Sequence, residues 1–473
     1  MLSDALILLN VFLLAYFVVM NLSYTTLLIT SFVDIFRHKR RSDTFDTDVL
    51  LNSPMTLPVS VIAPAFNEER NIVQSVRALL NLTYTDYEVI VVNDGSTDHT
   101  LDRLKKAFGL EPVHAVFRRD LPTEQIITVY KAPGIDRLTV IDKVNGGKSD
   151  ALNAGINFSQ YPLFCSIDAD TILNRDALLK VIVPFMEDPD RTVAAGGTVR
   201  VANGCTIENG VVTKVSLGDR ILPLFQTVEY LRAFLFGRIG WNLLGGNLII
   251  SGAFGLFRKD AVVNVGGYSR ETVGEDMELV VRLHRHFRKK RQPYRIVFVP
   301  DPICFTEVPE NLSDLGRQRD RWQRGMMESL TTHAGMALNP RYGVVGLLAF
   351  PFHILFEMLA PFIELAGYVI VILSFTAGII DTPFLILFFM VAVLYGVFLS
   401  IASILLEELS YSLYRSNLSL VWLSVYGFLE NFGYRQLTLY WRLKGMVKFL
   451  FGAKSWGRIE RRGFGAPQVE ETP

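Results

Sequence analysis

Cysteine is scarce in this 473-residue chain: Cys165, Cys205 and Cys304 are its three thiols, far apart and without a Cys-x-x-Cys pair. An odd, scattered set excludes a disulfide framework and a thiolate metal site, and it fits a reducing compartment. Net charge is absent as well. With 47 basic and 47 acidic residues, the chain lacks the strongly basic surface that nucleic-acid binding requires, so no nucleic acid is expected among its partners. No internal repeat is present, which sets aside a solenoid. What the chain has instead is apolar surface, for half of its residues are hydrophobic. At this length that implies two units, or one domain with membrane segments.

From Ala5 to Val33 no side chain is charged, a run longer than the about 20 residues that cross a bilayer core. Asp4 precedes it, and Arg37, Lys39, Arg40 and Arg41 follow it. That is the reverse of a signal peptide's charge order, so a spanning helix is expected, with its N-terminus outside and the following segment in the cytoplasm. After Tyr342, apolar runs return at Gly343 to Leu359, Phe362 to Ile380, Pro383 to Leu406 and Ser416 to Leu429. Glu357 and Glu430 in or beside the first and last of these allow an interfacial placement. Glu364 suits a helix end or a polar interior. Between Arg435 and Arg462 eight basic residues face one acidic residue, Glu460. A cytoplasmic tail of this kind requires an even number of C-terminal crossings, four as first choice and two as second. The closing segment, Gly463 to Pro473, reads as disordered.

Between these membrane runs, from about Val59 to Thr331, short β-branched runs alternate with helical patterns, the signature of an α/β domain. Candidate strands are Val59 to Ala63, Tyr87 to Val92, Ile126 to Val129, Leu138 to Ile141 and Leu163 to Ile167, mostly apolar as buried parallel strands are. Helices are expected over Glu68 to Leu80, Thr97 to Phe108, Lys148 to Phe158 and Asn174 to Phe185.

Several of these strands end in chemistry. Leu163 to Ile167 runs into Asp168-Ala169-Asp170, at the strand end where open α/β sheets place their ligand crevice. In extended backbone the two carboxylates face one side, and hard oxygen donors suit Mg²⁺ or Mn²⁺ with positions left open for substrate phosphates. Such an ion would neutralise a diphosphate leaving group. Alone, Asp-x-Asp is also a frequent turn. Asn93-Asp94-Gly95-Ser96 and Pro64-Ala-Phe-Asn-Glu-Glu69 end two further strands on the same edge, the former being also a common turn sequence. Gly146-Gly147-Lys148 opens a helix whose amides and lysine suit a diphosphate.

Glu275 and Asp276 sit in the first turn of a helix, where carboxylates commonly serve the helix dipole; the functional alternative makes Asp276 a general base. His284 and His286, further along, are expected to be solvated. Gln318, Arg321 and Trp322, spaced i, i+3 and i+4, share a helix face, with arginine suited to phosphate and tryptophan to a sugar ring. A basic helix resting on the membrane surface accounts for the same residues.

In order and approximate spacing, Asn-Asp-Gly at 93 to 95, Asp-Ala-Asp at 168 to 170, Gly-Glu-Asp at 274 to 276 and Gln-Arg-Asp-Arg-Trp at 318 to 322 resemble the motifs of processive family 2 glycosyltransferases, akin to hyaluronan, chitin, cellulose and poly-β-N-acetylglucosamine synthases. The resemblance covers roughly 59 to 332 and, less specifically, the flanking helices. Gly274 stands where the family often has threonine, and the stretch from Glu111 to Val144 is longer than in compact relatives and has no assigned role.

The resemblance implies an α/β GT-A domain inserted between N- and C-terminal transmembrane helices. It further implies a UDP-sugar donor, inversion by direct displacement and a need for Mg²⁺ or Mn²⁺. Asp94 would hold the uracil end with Phe66, Glu68 and Lys148 nearby, Asp168 would face the nucleotide and metal, and Asp170 the metal. Asp276, with Glu275 beside it, would be catalytic. Gln318, Arg321 and Trp322 would close over the diphosphate, and Ser251 and Gly252, with Trp322, would meet the acceptor.

The expected organisation is then a transmembrane helix at 1–36, a cytoplasmic linker at 37–58, a catalytic domain at 59–310, an interfacial helix at 311–340, transmembrane helices over 341–437 and a basic tail at 438–473. Expected partners are the lipid bilayer and a growing polysaccharide, or alternatively a lipid-linked acceptor receiving one sugar, with accessory secretion proteins as further candidates. The expected location is the bacterial inner (plasma) membrane, with the catalytic domain in the cytoplasm.

Overall fold

The uncharged N-terminal run forms one helix, α1 (Leu2–Ser42). After it come β1 (Val59–Ala65), α2 (Ile72–Leu80), β2 (Tyr87–Asp94) and α3 (Thr100–Phe108). Next are β3 (Glu111–Val113), β4 (Ile126–Ala132), β5 (Ile135–Lys143), α4 (Lys148–Phe158) and β6 (Leu163–Ile167). The chain continues through β7 (Thr171–Leu173), α5 (Ala177–Glu187), β8 (Thr192–Val201), and the hairpin of β9 (Thr206–Glu208) and β10 (Val211–Lys214). Then follow α6 (Ile221–Leu231), β11 (Phe254–Arg258), α7 (Glu275–Lys290), β12 (Arg295–Thr306) and α8 (Leu312–Thr332). The last helices are α9 (Val345–Met358), α10 (Ala360–Thr376), α11 (Thr382–Ser410), α12 (Asn417–Leu429) and α13 (Tyr434–Leu450). This computed structural model describes residues 2–42, 51, 56–208, 210–414 and 416–452. Most of the expected 37–58 linker, and the 453–473 part of the basic tail with its closing segment, lie outside the described residues.

Contacts divide the chain into two units. One, an α/β unit, holds Thr44–Ser216 and Ile249–Val308; the other, helical, holds α1, Leu217–Leu248 and the chain from Pro309 onward.

In the α/β unit ten strands form one sheet in the order β3-β4-β5-β2-β1-β6-β11-β8-β12-β7. β1 pairs in parallel with both β2 and β6, and β2 in parallel with β5. The strand order therefore reverses at β1, and the crevice beyond the carboxyl ends at such a reversal is where ligands bind. β11 runs antiparallel between β6 and β8. Burial on both faces explains why β2 and β8 are buried along their whole length and why these segments read as continuous apolar runs.

α4 lies against β1 and β2. At Gly155 an added Cβ would stand 2.3 Å from Ile62 Cγ2, so the helix rests on the sheet at a distance that only glycine permits. Ile62, Ile90, Val92, Leu152, Ile156, Phe164 and Leu279 share one buried cluster, and each contributes roughly 1.5–3 kcal/mol by leaving water.

The expected parallel strand at Ile126 is instead one arm of an antiparallel hairpin, β4 on β5. Pro133-Gly134 supplies the reason: Gly134 has φ 80°, the backbone that a tight Pro-Gly turn demands. With β3 antiparallel to β4, the stretch from 111 to 144 is the edge of the sheet. The helices α2, α3 and α5 begin a few residues later than the periodicity predicts, because loops at the carboxyl edge take up the difference; α4 has the expected bounds.

In the helical unit Leu217–Leu248 joins α1, so the block expected to run unbroken from 59 to 310 is interrupted. Thr30 donates to the Gly240 carbonyl at 2.9 Å, and a Cβ on Gly240 would lie 2.5 Å from the Leu27 carbonyl oxygen. By length and composition α1 and α11 are each able to cross a membrane, and together they mark a membrane protein. α9 and α10 form a pair bent by 48°, and α12 is shorter. The four C-terminal apolar runs thus provide one span by length, or two if the bent pair is one.

The acidic residues within these runs are paired. Glu364 meets Arg435 at 2.8 Å, Glu430 meets Arg232, and Glu357 accepts from Tyr24 at 2.6 Å with Arg442 at 3.8 Å. Charges in apolar surroundings persist when matched in this way. The start of the expected basic tail is helical as part of α13, which packs on α8. Glycine permits the approach at Gly316, where a Cβ would lie 2.6 Å from Trp441 Nε1, and at Gly445, where it would lie 2.8 Å from the Asp320 carbonyl.

Candidate active site

Four loops leave the carboxyl edge of the sheet, after β1, β2, β5 and β6. The first is pinned to the second. Asn67, in the left-handed region at φ 58°, accepts from Thr97 N at 2.8 Å and donates from its own amide to Ser96 Oγ at 3.0 Å. Glu68 N donates to Thr100 Oγ1 at 2.8 Å. Phe66 beside them is 42% exposed, leaving a flat apolar face at the edge.

Asp168 and Asp170 follow β6 in a tight turn, closed by Thr171 N donating to the Asp168 carbonyl at 3.0 Å. The expected extended backbone, with both carboxylates alternating to one side, is therefore replaced by a turn. Asp170 is buried and Asp168 partly open.

Lys148, the first residue of α4, reaches Asp168 at 2.5 Å and Glu275 at 3.2 Å. Burial by itself would lower the Lys148 pKa, but Asp168 and Glu275, with Asp276 behind them, outweigh that and hold it above the ordinary lysine value. The stabilisation from these pairs is accordingly complete below the unfolded lysine pKa of about 10.4 and is lost only above it.

Glu275 and Asp276 occupy the first turn of α7. Asp276 Oδ2 accepts from Gly252 N at 3.0 Å and Oδ1 from Met277 N at 2.8 Å, bonds that favour the charged carboxylate. Ser251 and Gly252 form the turn into β11, with Phe254 N donating to the Ser251 carbonyl at 3.0 Å. A Cβ on Gly252 would lie 2.8 Å from Lys148 Nζ and 3.5 Å from Asp276 Oδ2. Lys148, Asp168, Gly252, Glu275 and Asp276 thus form one constellation.

Gly252→Ala must displace the Lys148 ammonium, the flexible partner in that contact. The expected result is about a tenfold loss of turnover, or roughly 1.4 kcal/mol in the barrier, with thermal unfolding nearly unchanged. Turnover and melting measured on the same preparation check it.

Asp94 has a different setting. Its Oδ1 accepts from Lys143 Nζ at 2.6 Å and Gly146 N at 3.0 Å, and its Oδ2 from Gly147 N at 2.8 Å. The Gly146 and Gly147 amides, expected to face a diphosphate, are directed to this carboxylate. Lys143, Asp150 and Arg270 escaped the sequence reading; the available signal was Lys143 at the end of a strand adjoining the one that ends in Asp94. His284, expected to be solvated, is buried, with Nδ1 2.7 Å from Tyr294 Oη.

Gln318, Arg321 and Trp322 lie on α8 of the helical unit. Trp322 is 42% exposed and carries the Arg319 guanidinium 4.3 Å over its ring. The intervening Arg319 and Asp320 are buried. Arg319 pairs with Glu229 at 2.7 Å and Asp320 pairs with Arg324 and Lys448, so these two knit the helices of this unit together.

Among the described residues, no three or more His, Cys, Asp or Glu are grouped so as to hold a metal ion. Asp168 and Asp170 nevertheless fit Mg²⁺ or Mn²⁺ in the mode in which one or two carboxylates act together with substrate phosphates.

Comparison with known proteins gives matches along most of this length. The family profile described as glycosyl transferase family group 2 matches residues 163–401, half of the chain. That of glycosyl transferase family 2 matches residues 60–122. The poly-beta-1,6-N-acetyl-D-glucosamine synthase of Staphylococcus aureus (strain COL) is 31% identical over 275 residues, covering 58% of this chain and 55% of that protein. The enzyme of the same name from Staphylococcus epidermidis is 28% identical over 333 residues, covering 69% and 68%. The chain spans about half the length of the S. aureus relatives it matches. Among solved structures, the mannosyltransferase PcManGT from Pyrobaculum calidifontis, in complex with GDP-Man and Mn²⁺, aligns with a TM-score of 0.53 at 15% identity, over 93% of this chain and 100% of that one. That likeness is one of fold, and the fold is GT-A.

Proposed function

The chain belongs to the family 2 glycosyl transferases, and from that premise we propose that it moves sugar units from a UDP-sugar onto a growing polysaccharide, with inversion at the anomeric carbon. The observation that carries this reading is the constellation of Lys148, Asp168, Glu275 and Asp276 at the carboxyl edge of the sheet. The name of the relatives makes UDP-N-acetylglucosamine the first donor to try. The basic segments after α1 and in α13 support a catalytic domain in the cytoplasm, at the bacterial inner membrane.

Asp276 takes the proton from the acceptor hydroxyl while that oxygen forms its bond to the anomeric carbon. The bond from that carbon to the diphosphate oxygen breaks, and its electron pair leaves with UDP. The Gly252 and Met277 amides keep the Asp276 carboxylate ionised and aimed. Lys148 offsets charge on the departing diphosphate, held in place by Asp168 and Glu275. Mg²⁺ or Mn²⁺, held by Asp168 and Asp170, would supply further neutralisation of that diphosphate. Phe66, at 42% exposure, offers a stacking face to the uracil ring. Gln318 and Arg321 serve the diphosphate, and Trp322 serves the acceptor.

Sizing the product from radiolabelled donor tests the polymer reading: a high-molecular-weight product is expected, and a single sugar on lipid would contradict it. Trp322→Ala is expected to shorten the product, since the exposed indole is lost while Arg319 keeps its pair with Glu229. Wild-type chain lengths from that variant would remove Trp322 from the acceptor side.

A further inference from the structure

Behind the constellation lies a buried ionic cluster that the chemistry above does not use. Asp94 and Lys143 are the last residues of β2 and β5 and face each other in register. Lys143 Nζ lies 2.6 Å from Asp94 Oδ1, 2.6 Å from Asp150 Oδ1 and 2.6 Å from the Val144 carbonyl. The side chains of Lys143 and Asp150 are 0% exposed and that of Asp94 is 3% exposed. Arg270 completes the cluster at 2.9 Å from Asp150 and pairs with Glu124 at 2.6 Å. Two carboxylates and two cations balance, as a buried cluster must.

What this cluster grips is the loop from Val144 to Gly147. Asn145 Nδ2 donates to the Asp94 carbonyl at 2.7 Å, and the Gly146 and Gly147 amides donate to the Asp94 carboxylate. Asp150 fills the space beside Gly146, where a Cβ would come within 2.6 Å of its Cγ. The next residue after this loop is Lys148, whose ammonium bridges Asp168 and Glu275. At the other end, Arg270 ties Asp150 to the segment that leads into Glu275 and Asp276.

We propose that Lys143 and Asp150 are positioning residues for the donor: with Asp94 they lock the Val144–Gly147 loop and thereby set Lys148 against Asp168. Neither touches the substrate, and their effect reaches it through Lys148. This inference rests on the nucleotide-sugar reading of the site.

The test uses the full chain in detergent, with UDP affinity by calorimetry and with donor KM and kcat measured for wild type, Lys143→Met, Lys143→Arg and the pair Lys143→Met with Asp150→Asn. The pair removes one charge of each sign, so the cluster stays balanced and decides the matter where Lys143→Met alone fails to fold. The expected result for the folded pair is a roughly ten- to hundredfold rise in UDP Kd and donor KM, as for loss of charge-assisted hydrogen bonds, with kcat changed far less. Lys143→Arg is expected to restore most of the affinity. A folded pair with wild-type Kd and KM, or a variant that loses only melting temperature, overturns the positioning role. Wild type that binds no UDP overturns the nucleotide-sugar reading itself, and the proposal with it.

Discussion

Asp276→Asn is expected to bind UDP within a few-fold of wild type and to lose turnover by about 10²–10⁴-fold, the range for removal of a general base. The amide is nearly isosteric with the carboxylate, and its oxygen can still accept from Gly252 N, which lies 3.0 Å from the native Oδ2. The Ser251-Gly252 turn and Lys148 therefore keep their places. What disappears is the group able to take the acceptor's proton. Calorimetry with UDP, set beside turnover under saturating donor, separates the two effects. Surviving transfer with weakened UDP binding would make Asp276 a dipole partner of α7 and nothing more.

Asp170→Asn is expected to be as damaging for a different reason. Asp170 is buried, on the turn that closes from Asp168 to Thr171. Asparagine preserves the shape of this turn but removes half of the charge that would hold a divalent cation, since Asp168 is shared with Lys148. A loss of several kcal/mol of leaving-group stabilisation corresponds to on the order of 10³-fold in rate. Turnover measured against rising Mg²⁺ and Mn²⁺ reads this directly, with the variant needing far more metal or failing at every concentration. Wild-type turnover with unchanged metal dependence would remove Asp170 from the metal site.

Strand ends were the most legible feature of this sequence. Asp94, Asp168 and the Pro64–Glu69 loop were all found by the rule that open sheets bind at their carboxyl edge, because apolar runs ending in polar residues are visible without any tertiary knowledge. Which partner each carboxylate takes was not visible. Asp94 is bound by residues 49 to 53 positions away, and no local pattern announces Lys143 and Asp150 as its company. In Gln-Arg-Asp-Arg-Trp the period of the helix divides the motif. Gln318, Arg321 and Trp322 were grouped correctly by spacing, but Arg319 and Asp320 look no less functional in sequence, and they are the residues buried against other helices. The hairpin of β4 and β5 was misjudged because two short β-branched runs look alike in parallel and antiparallel sheets; Pro133-Gly134 was the available clue. The interruption at Leu217–Leu248 arises from tertiary packing on α1, which composition alone does not reveal.

The central claim is sugar transfer from a UDP-sugar at the constellation of Lys148, Asp168, Glu275 and Asp276. It is tested most directly by UDP release from a panel of UDP-sugars, with Mg²⁺ or Mn²⁺ present, by the purified full chain and its Asp276→Asn variant. The account predicts release from one donor, UDP-N-acetylglucosamine first among them, and near silence from the variant. Equal release by both proteins, or release from no donor, would contradict it.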